Sequence, residues 1–73
     1  MRAGLLWFDD SPRTPLATKV DHAMLRYREK FGRTPNICYV HPRTQKDSGN
    51  EVTPIRVVGL PSIQPNHFWV GLI

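Results

Sequence analysis

The sequence predicts a single small α+β domain, a βαβββ unit in which one amphipathic helix covers one face of a mixed sheet of about four strands. Apolar runs too short for helices flank one longer segment with a helical repeat, and proline and glycine mark the element ends. The chain has 73 residues. A chain of this size buries only about 60% of the surface exposed in its unfolded form, so residues 1–73 make one domain with a thin core.

The helix is the best-defined element and is predicted over residues 15–31. Apolar side chains recur there at steps of three and four residues, the spacing of one helical face: Leu16, Val20, Ala23, Met24, Tyr27 and Phe31. Thr14 is a candidate N-cap, and Pro15 suits the first helical position, where its missing N–H is no loss. Gly32 suits the left-handed position that ends a helix, and Pro35 prevents continuation.

Four short apolar runs predict the strands. They cover residues 3–8, 36–41, 54–60 and 67–73. The first strand, the helix and the second strand are expected to form a parallel crossover, which is the usual arrangement for consecutive elements of this kind. Residues 43–51 contain no apolar side chain and are predicted to form an exposed, mobile loop.

Composition narrows the class of protein. Ten Lys and Arg against six Asp and Glu give a net charge of +4, which favours polyanionic partners, although a charge of this size also serves solubility. We expect no membrane span, because no run approaches the required length of about 20 apolar residues, and no signal peptide, because the apolar run of residues 3–8 is too short for one. The single Cys38 excludes an internal disulfide and fits a reducing compartment. We therefore expect a soluble cytoplasmic protein with no cofactor.

Basic residues form a row along one flank of the predicted helix, within a sector of about 80° beside the apolar face. This basic row consists of Lys19, His22, Arg26, Lys30 and Arg33, and Arg2, Arg43 and Arg56 are candidates to extend it. Such a row can follow a phosphate backbone, but it is also typical of a solvated helix face. Asp21 and Glu29 lie close enough to weaken its field. No aromatic platform is interleaved with it, because Tyr27 and Phe31 belong to the core face.

A second candidate site lies at the carboxyl ends of the first two strands, where open α/β sheets commonly bind ligands. Asp9, Asp10 and His41 follow these strands and could hold a divalent ion that activates water for phosphodiester hydrolysis. The competing interpretation is that the aspartates favour the positive end of the helix dipole.

Zinc binding by Cys38, His41 and His67 is disfavoured, because residues three apart on a strand face opposite ways. An antiparallel third strand would also place His67 at the opposite edge from His41.

The C-terminal strand is more apolar than one covered sheet face requires, which predicts association into a homodimer. The candidate interface residues are Leu25, Phe68, Trp69, Val70 and Ile73. Because side chains alternate along a strand, one of two sets should point away from the helix: either Phe68, Val70 and Leu72, or Trp69, Gly71 and Ile73. The alternative is that residues 61–65 fold back over the exposed set.

Three hypotheses about function follow. A non-catalytic module that binds nucleic acid or an acidic protein surface through the basic row is favoured, and enzymatic activity is less expected than binding. One alternative is a metal-assisted phosphodiesterase built on Asp9, Asp10 and His41. The other is a structural subunit that assembles through the apolar C-terminal strand.

Overall fold

The computed structural model describes residues 4–49 and 51–73, so Arg2 and the predicted start of the first strand at Ala3 lie outside the described residues. Its elements are, in order, β1 (Gly4–Phe8), α1 (Leu16–Phe31), β2 (Ile37–Val40), α2 (Pro42–Asp47), β3 (Arg56–Gly59) and β4 (His67–Gly71). The predicted α+β class, the four-stranded mixed sheet and the long helix are confirmed. Neither α1 nor α2 is long and apolar enough to cross a lipid bilayer.

The sheet has the order β1-β4-β2-β3. The last strand lies between the two strands that α1 connects and is antiparallel to both, so β1 and β2 are parallel to each other but not adjacent. β3 runs parallel to β2, which corrects the antiparallel direction considered from the sequence. His67 therefore pairs with Phe8 and lies at the same end of the sheet as His41, not at the opposite edge.

Helix α1 packs on one face of the sheet, which we call the inner face, and forms the core there. The buried residues of this core are Leu16, Val20, Ala23 and Tyr27 from α1, and Cys38, Val40, Phe68 and Val70 from the sheet. The helix ends as the sequence predicts: Gly32 has a φ of 70°, and its N–H donates to the carbonyl oxygen of Arg28 over 2.8 Å. This left-handed cap needs glycine because a Cβ would be strained at that φ.

The start of α1 is held by a distant residue instead of the predicted cap. The helix begins at Leu16 with Pro15 at the N-cap, and no side chain at that position accepts a hydrogen bond. The Glu51 carboxylate accepts from the backbone N–H of Leu16 over 3.2 Å and from that of Ala17 over 2.6 Å. It satisfies two N–H groups that a helix start leaves free and places negative charge at the positive end of the helix. Thr14 is therefore not the cap.

Residues Pro42–Asp47 form a short helix where an irregular loop was predicted. The prediction of exposure was right, since no residue of α2 is buried. The Nδ1 atom of His41 accepts a hydrogen bond from the Arg43 N–H over 3.0 Å, and proline occupies the first turn. A proline directly after a residue able to cap is a recognised helix-start signal, so Pro42 marks the start of α2 as well as the end of β2.

Helix α2 lies on the inner face, beside α1, and contacts β3. The Gln45 Nε2 group donates to the carbonyl oxygen of Val57 over 3.2 Å. A Cβ placed on Gly59 would lie 2.7 Å from Gln45 Oε1, so α2 approaches the β3 backbone closely. Gly59 pairs with Val40, an inner-face residue. Both helices consequently cover the same side of the sheet.

Replacing Glu51 tests the long-range cap. Glu51→Ala should lower the free energy of unfolding by about 1–2 kcal/mol, the usual cost of losing a helix cap. Thr14→Ala, at the position that the sequence alone favoured, should change it by less than about 0.5 kcal/mol. Urea denaturation followed by circular dichroism measures both values. Equal losses in the two variants would contradict the assignment of the cap to Glu51.

Cys38 provides a test of the core. Its side chain is fully buried, and burial raises the pKa of the thiol from 9.0 to about 12. A thiol reagent at pH 8 should therefore leave the folded protein unmodified and react fully in denaturant. Because the folded pKa is the higher one, the thiol's contribution to stability is present below pH 9 and is lost as the pH rises toward 12. Rapid modification without denaturant would show that this core is not formed.

Candidate functional site

The face of the sheet opposite the helices, which we call the outer face, is not covered by a helix in the described part of the chain. Side chains alternate between the two faces along each strand, and the pairing register shows which residues of neighbouring strands share a face. Together they determine the residues of the outer face. They are Gly4, Leu6, Phe8, Ile37, Tyr39, Arg56, Val58, His67, Trp69 and Gly71. Leu6 is 59% exposed and Phe8 is 54% exposed, so this apolar surface is open to solvent on β1.

The Trp69 indole lies flat on the outer face across two strands. Gly4 and Gly71 are paired with each other. A Cβ on Gly4 would lie 2.2 Å from the indole Cζ2, and a Cβ on Gly71 would lie 2.5 Å from the indole Cη2. The ring therefore occupies the space that two side chains would otherwise fill, instead of standing perpendicular to the sheet as strand side chains usually do. Glycine at both positions is what permits this orientation.

Other rings extend the surface to the neighbouring strands. The Tyr39 ring on β2 lies 5.7 Å from the Trp69 ring, with an angle of 44° between their planes. The Phe8 ring on β1 lies 4.9 Å from the His67 ring on β4, and the His67 Nδ1 atom is 2.9 Å from the carbonyl oxygen of Pro65. We call Phe8, Tyr39, His67 and Trp69 together the aromatic face. A surface of this kind can stack on planar ligands.

The outer face carries positive and neutral groups but no carboxylate. None of the six acidic residues of the chain lies in a described strand, and residues 52–73 contain no acidic residue. Arg56 is exposed at the edge formed by β3. The acidic residues instead follow β1 or belong to α1, α2 and the segment after α2. The molecule is therefore divided into a helical layer of mixed charge and a sheet surface without negative charge.

The basic row lies on the flank of α1 that faces β1. The Arg26 guanidinium carbon is 5.5 Å from the centre of the Trp7 ring of β1. At the other end, a hydrogen bond from the Ser11 N–H lowers the pKa of Asp9, with smaller contributions from the nearby Lys19 and His22. His22, Arg26, Lys30 and Arg33 are exposed, and Lys19 is half-buried. The row borders the edge strand of the sheet, on the side opposite the aromatic face.

Two of the three predicted phosphodiesterase residues, Asp9 and His41, are held by local hydrogen bonds, and Asp10 lines the cleft at the start of α1. Asp9 Oδ1 accepts from the Ser11 N–H over 2.9 Å, and His41 caps α2. Because β4 lies between β1 and β2, the ends of these strands are about 10 Å apart, twice the strand spacing. Within residues 4–49 and 51–73, no three His, Cys, Asp or Glu side chains are grouped so that they could hold a metal ion. Cys38 is buried in the inner-face core.

A cleft of about 540 Å³ opens between the start of α1, α2 and residues 65–66. Its charged lining is mixed: Lys19 and Arg43 face Asp10, Asp47 and Glu51. The Glu51 carboxylate already occupies the N–H groups at the start of α1. The cleft thus has no surplus of positive charge, and Arg43 lines it together with Lys19, the first residue of the basic row.

The structure changes the predicted association surface. Phe68 and Val70 are fully buried under α1, so neither is available to a partner, and Trp69 is the member of β4 that points outward. Leu25 and Ile73 are 55% and 68% exposed, as an interface would require. Residues 61–65 do not fold across the whole outer face: Ser62, Ile63 and Gln64 line a small pocket with Leu6 and His67 at one end of it.

The position of the Trp69 ring can be tested by filling the space beneath it. Gly71→Ala should lower the free energy of unfolding by about 1–3 kcal/mol, the usual cost of overpacking, because the new methyl displaces the indole. In a Trp69→Leu background the same change should cost much less, since the clash is with the ring. Chemical denaturation of the four proteins measures this coupling. Additive effects would show that the ring does not lie on Gly71.

Comparison of the chain with protein-family models, with curated proteins and with solved structures finds no significant match.

Proposed function

We propose that this protein is a non-catalytic module that binds nucleic acid. The observation that carries the proposal is the arrangement of charge: an exposed basic row runs along α1 beside a sheet whose described strands contain no acidic residue. A polyanion that approaches the β1 side of the molecule meets positive charge on the helix and no carboxylate within the described strands. Electrostatic attraction of this kind supplies most of the affinity of sequence-independent nucleic-acid binding.

The cations of the basic row are available to phosphates. Among residues 4–49 and 51–73, the one ion pair within 4.0 Å joins Arg26 and Glu29, at 3.7 Å, and both side chains are 59% exposed. An exposed pair of this kind contributes little and is easily exchanged for another partner. The charges of Lys30 and Arg33 at the end of the row are therefore not neutralised within the fold.

The length of the basic row suits a nucleic-acid backbone. From Lys19 to Lys30 the helix rises about 16 Å at 1.5 Å per residue. One strand of a duplex places a phosphate about every 3.4 Å along its axis, so this length spans about five phosphates. An acidic protein surface has no such regular spacing, which is why nucleic acid is the partner that we favour.

The salt dependence of binding tests this function. The test pair Lys30→Gln with Arg33→Gln removes two charges from the row, and the control pair Arg28→Gln with Lys46→Gln removes two charges elsewhere. The slope of log K against log salt should become smaller in magnitude by about 1.8 on duplex DNA, or about 1.4 on a single strand, in the test pair alone. Fluorescence polarisation at several salt concentrations measures the slope.

Two results would contradict the proposal in different ways. If both pairs reduce the slope equally, net charge alone attracts the ligand and the basic row is not a site. If no DNA or RNA binds even at 50 mM salt, the protein is not a nucleic-acid-binding module.

A further inference from the structure

The outer face combines the most exposed apolar side chains of the sheet with four aromatic rings. Neither helix contacts it, and Tyr39, Trp69 and Phe8 are not part of the core around α1. The fold therefore does not use these rings to pack its helices. The rings are contributed by β1, β2 and β4, so they form a continuous surface across three neighbouring strands.

The orientation of Trp69 suits stacking on a planar group. Because the indole lies over Gly4 and Gly71, one of its faces rests on the backbone and the other is directed away from the sheet. Tyr39 is the adjacent ring, on a neighbouring strand. Unpaired bases stack on such rings in single-strand-binding proteins, whereas bases within a duplex already stack on each other and cannot reach them.

Charge on both sides of the aromatic face fits a ligand with a phosphate backbone. Arg56 is exposed at the β3 edge, and the basic row lies beyond the β1 edge. No acidic side chain belongs to the strands between them. A nucleic-acid strand crossing the outer face would meet Arg56 at one edge and the rings in the middle, and it would reach the basic row by turning around the β1 edge.

We infer that the nucleic acid bound by this protein is single-stranded, and that its bases stack on the outer face against Trp69, Tyr39 and Phe8. This inference rests on the proposed function and names the class of nucleic acid and the place where it binds. The basic row and Arg56 contact phosphates, and the aromatic face contacts bases.

The size of the outer face favours this occupant over a second copy of the chain. Four strands about 4.8 Å apart, each of four or five residues at about 3.3 Å, form a face of about 19 by 15 Å, or about 300 Å² in projection. A stable protein interface buries about 800 Å² of accessible surface on each partner, so a dimer would need contacts beyond this face as well. The same width accommodates the two or three bases that four-stranded sheets with exposed aromatic residues stack. A symmetric pair would also bring the Arg56 and His67 side chains of both copies onto one small interface without an acidic partner.

Replacement of the two central rings tests the inference. Labelled single-stranded DNA and RNA of 12 nucleotides, and a 12-base-pair duplex, are titrated with wild type, Trp69→Leu and Tyr39→Leu. Each leucine keeps the position apolar but removes the ring, and each should weaken single-strand binding at least about fivefold, the lower end of the contribution of one stacked base. The salt slope should remain unchanged because no phosphate contact is lost. Leu25→Ala, an apolar truncation on the far side of α1, should leave affinity unchanged.

Fluorescence supplies a second measurement that leaves Trp69 and Tyr39 in place. In Trp7→Phe, the remaining emission comes from Trp69. Addition of single-stranded oligonucleotide should quench it, and the duplex should quench it much less. Circular dichroism identifies any variant that fails to fold. If a leucine variant fails to fold, the quenching of Trp69 decides whether bases stack on the outer face.

The outcomes separate the two proposals. Equal affinity for single strand and duplex, with no effect of either leucine and no quenching, would overturn the stacking inference while the proposed function stands. Absence of any nucleic-acid binding at low salt would overturn both. A dimer in light scattering that Trp69→Leu converts to monomer would assign the outer face to a second copy and overturn the inference.

Discussion

The placement of β4 between β1 and β2 is the constraint on which the rest of the structure depends. This strand pairs on both sides, with β1 and with β2. Side chains alternate along β4, so Phe68 and Val70 lie in the core under α1 and Trp69 lies on the outer face. A single five-residue strand therefore joins the two halves of the sheet, fills the core and forms the centre of the aromatic face.

The same placement explains why the end of the sheet is not a compact site. In a simple parallel crossover, the two strands are adjacent and end at the same edge of the sheet, so the residues that follow them lie close together. Here an antiparallel strand separates β1 from β2, and the polar residues that follow them are used for local structure. Asp9 accepts from Ser11, and His41 starts α2. The helix start that could attract an anion is already occupied by Glu51.

Features that depend on local sequence could be predicted, and features that depend on pairing could not. The 3.6-residue repeat and Gly32 define α1, because the helical face and its left-handed cap are local properties. Helix α2 escaped prediction because it buries no residue and so has no apolar repeat. Glu51 is 35 residues from Leu16 in the chain, so no spacing rule connects it with the start of α1.

The aromatic face illustrates the same limit. Alternation along β4 allows two outward sets, and the sequence does not decide between them, because that choice depends on which side α1 covers. Gly4 and Trp69 are at opposite ends of the chain, and their contact exists only once β1 and β4 pair. The rings belong to strands of the sheet, so they do not lie among the residues of α1 that carry the basic row.

The flat orientation of Trp69 depends on the paired glycines beneath it. Glycine within a strand is less favourable than alanine by about 0.5–1 kcal/mol, because it loses more backbone freedom on folding. Alanine at Gly71 would displace the indole from the sheet, and the Cβ of alanine at Gly4 would in addition lie 2.8 Å from the carbonyl oxygen of Val70. Coverage of the outer face by apolar groups alone would not require a ring lying flat. Under the proposed stacking, a flat ring presents its whole free face to a base.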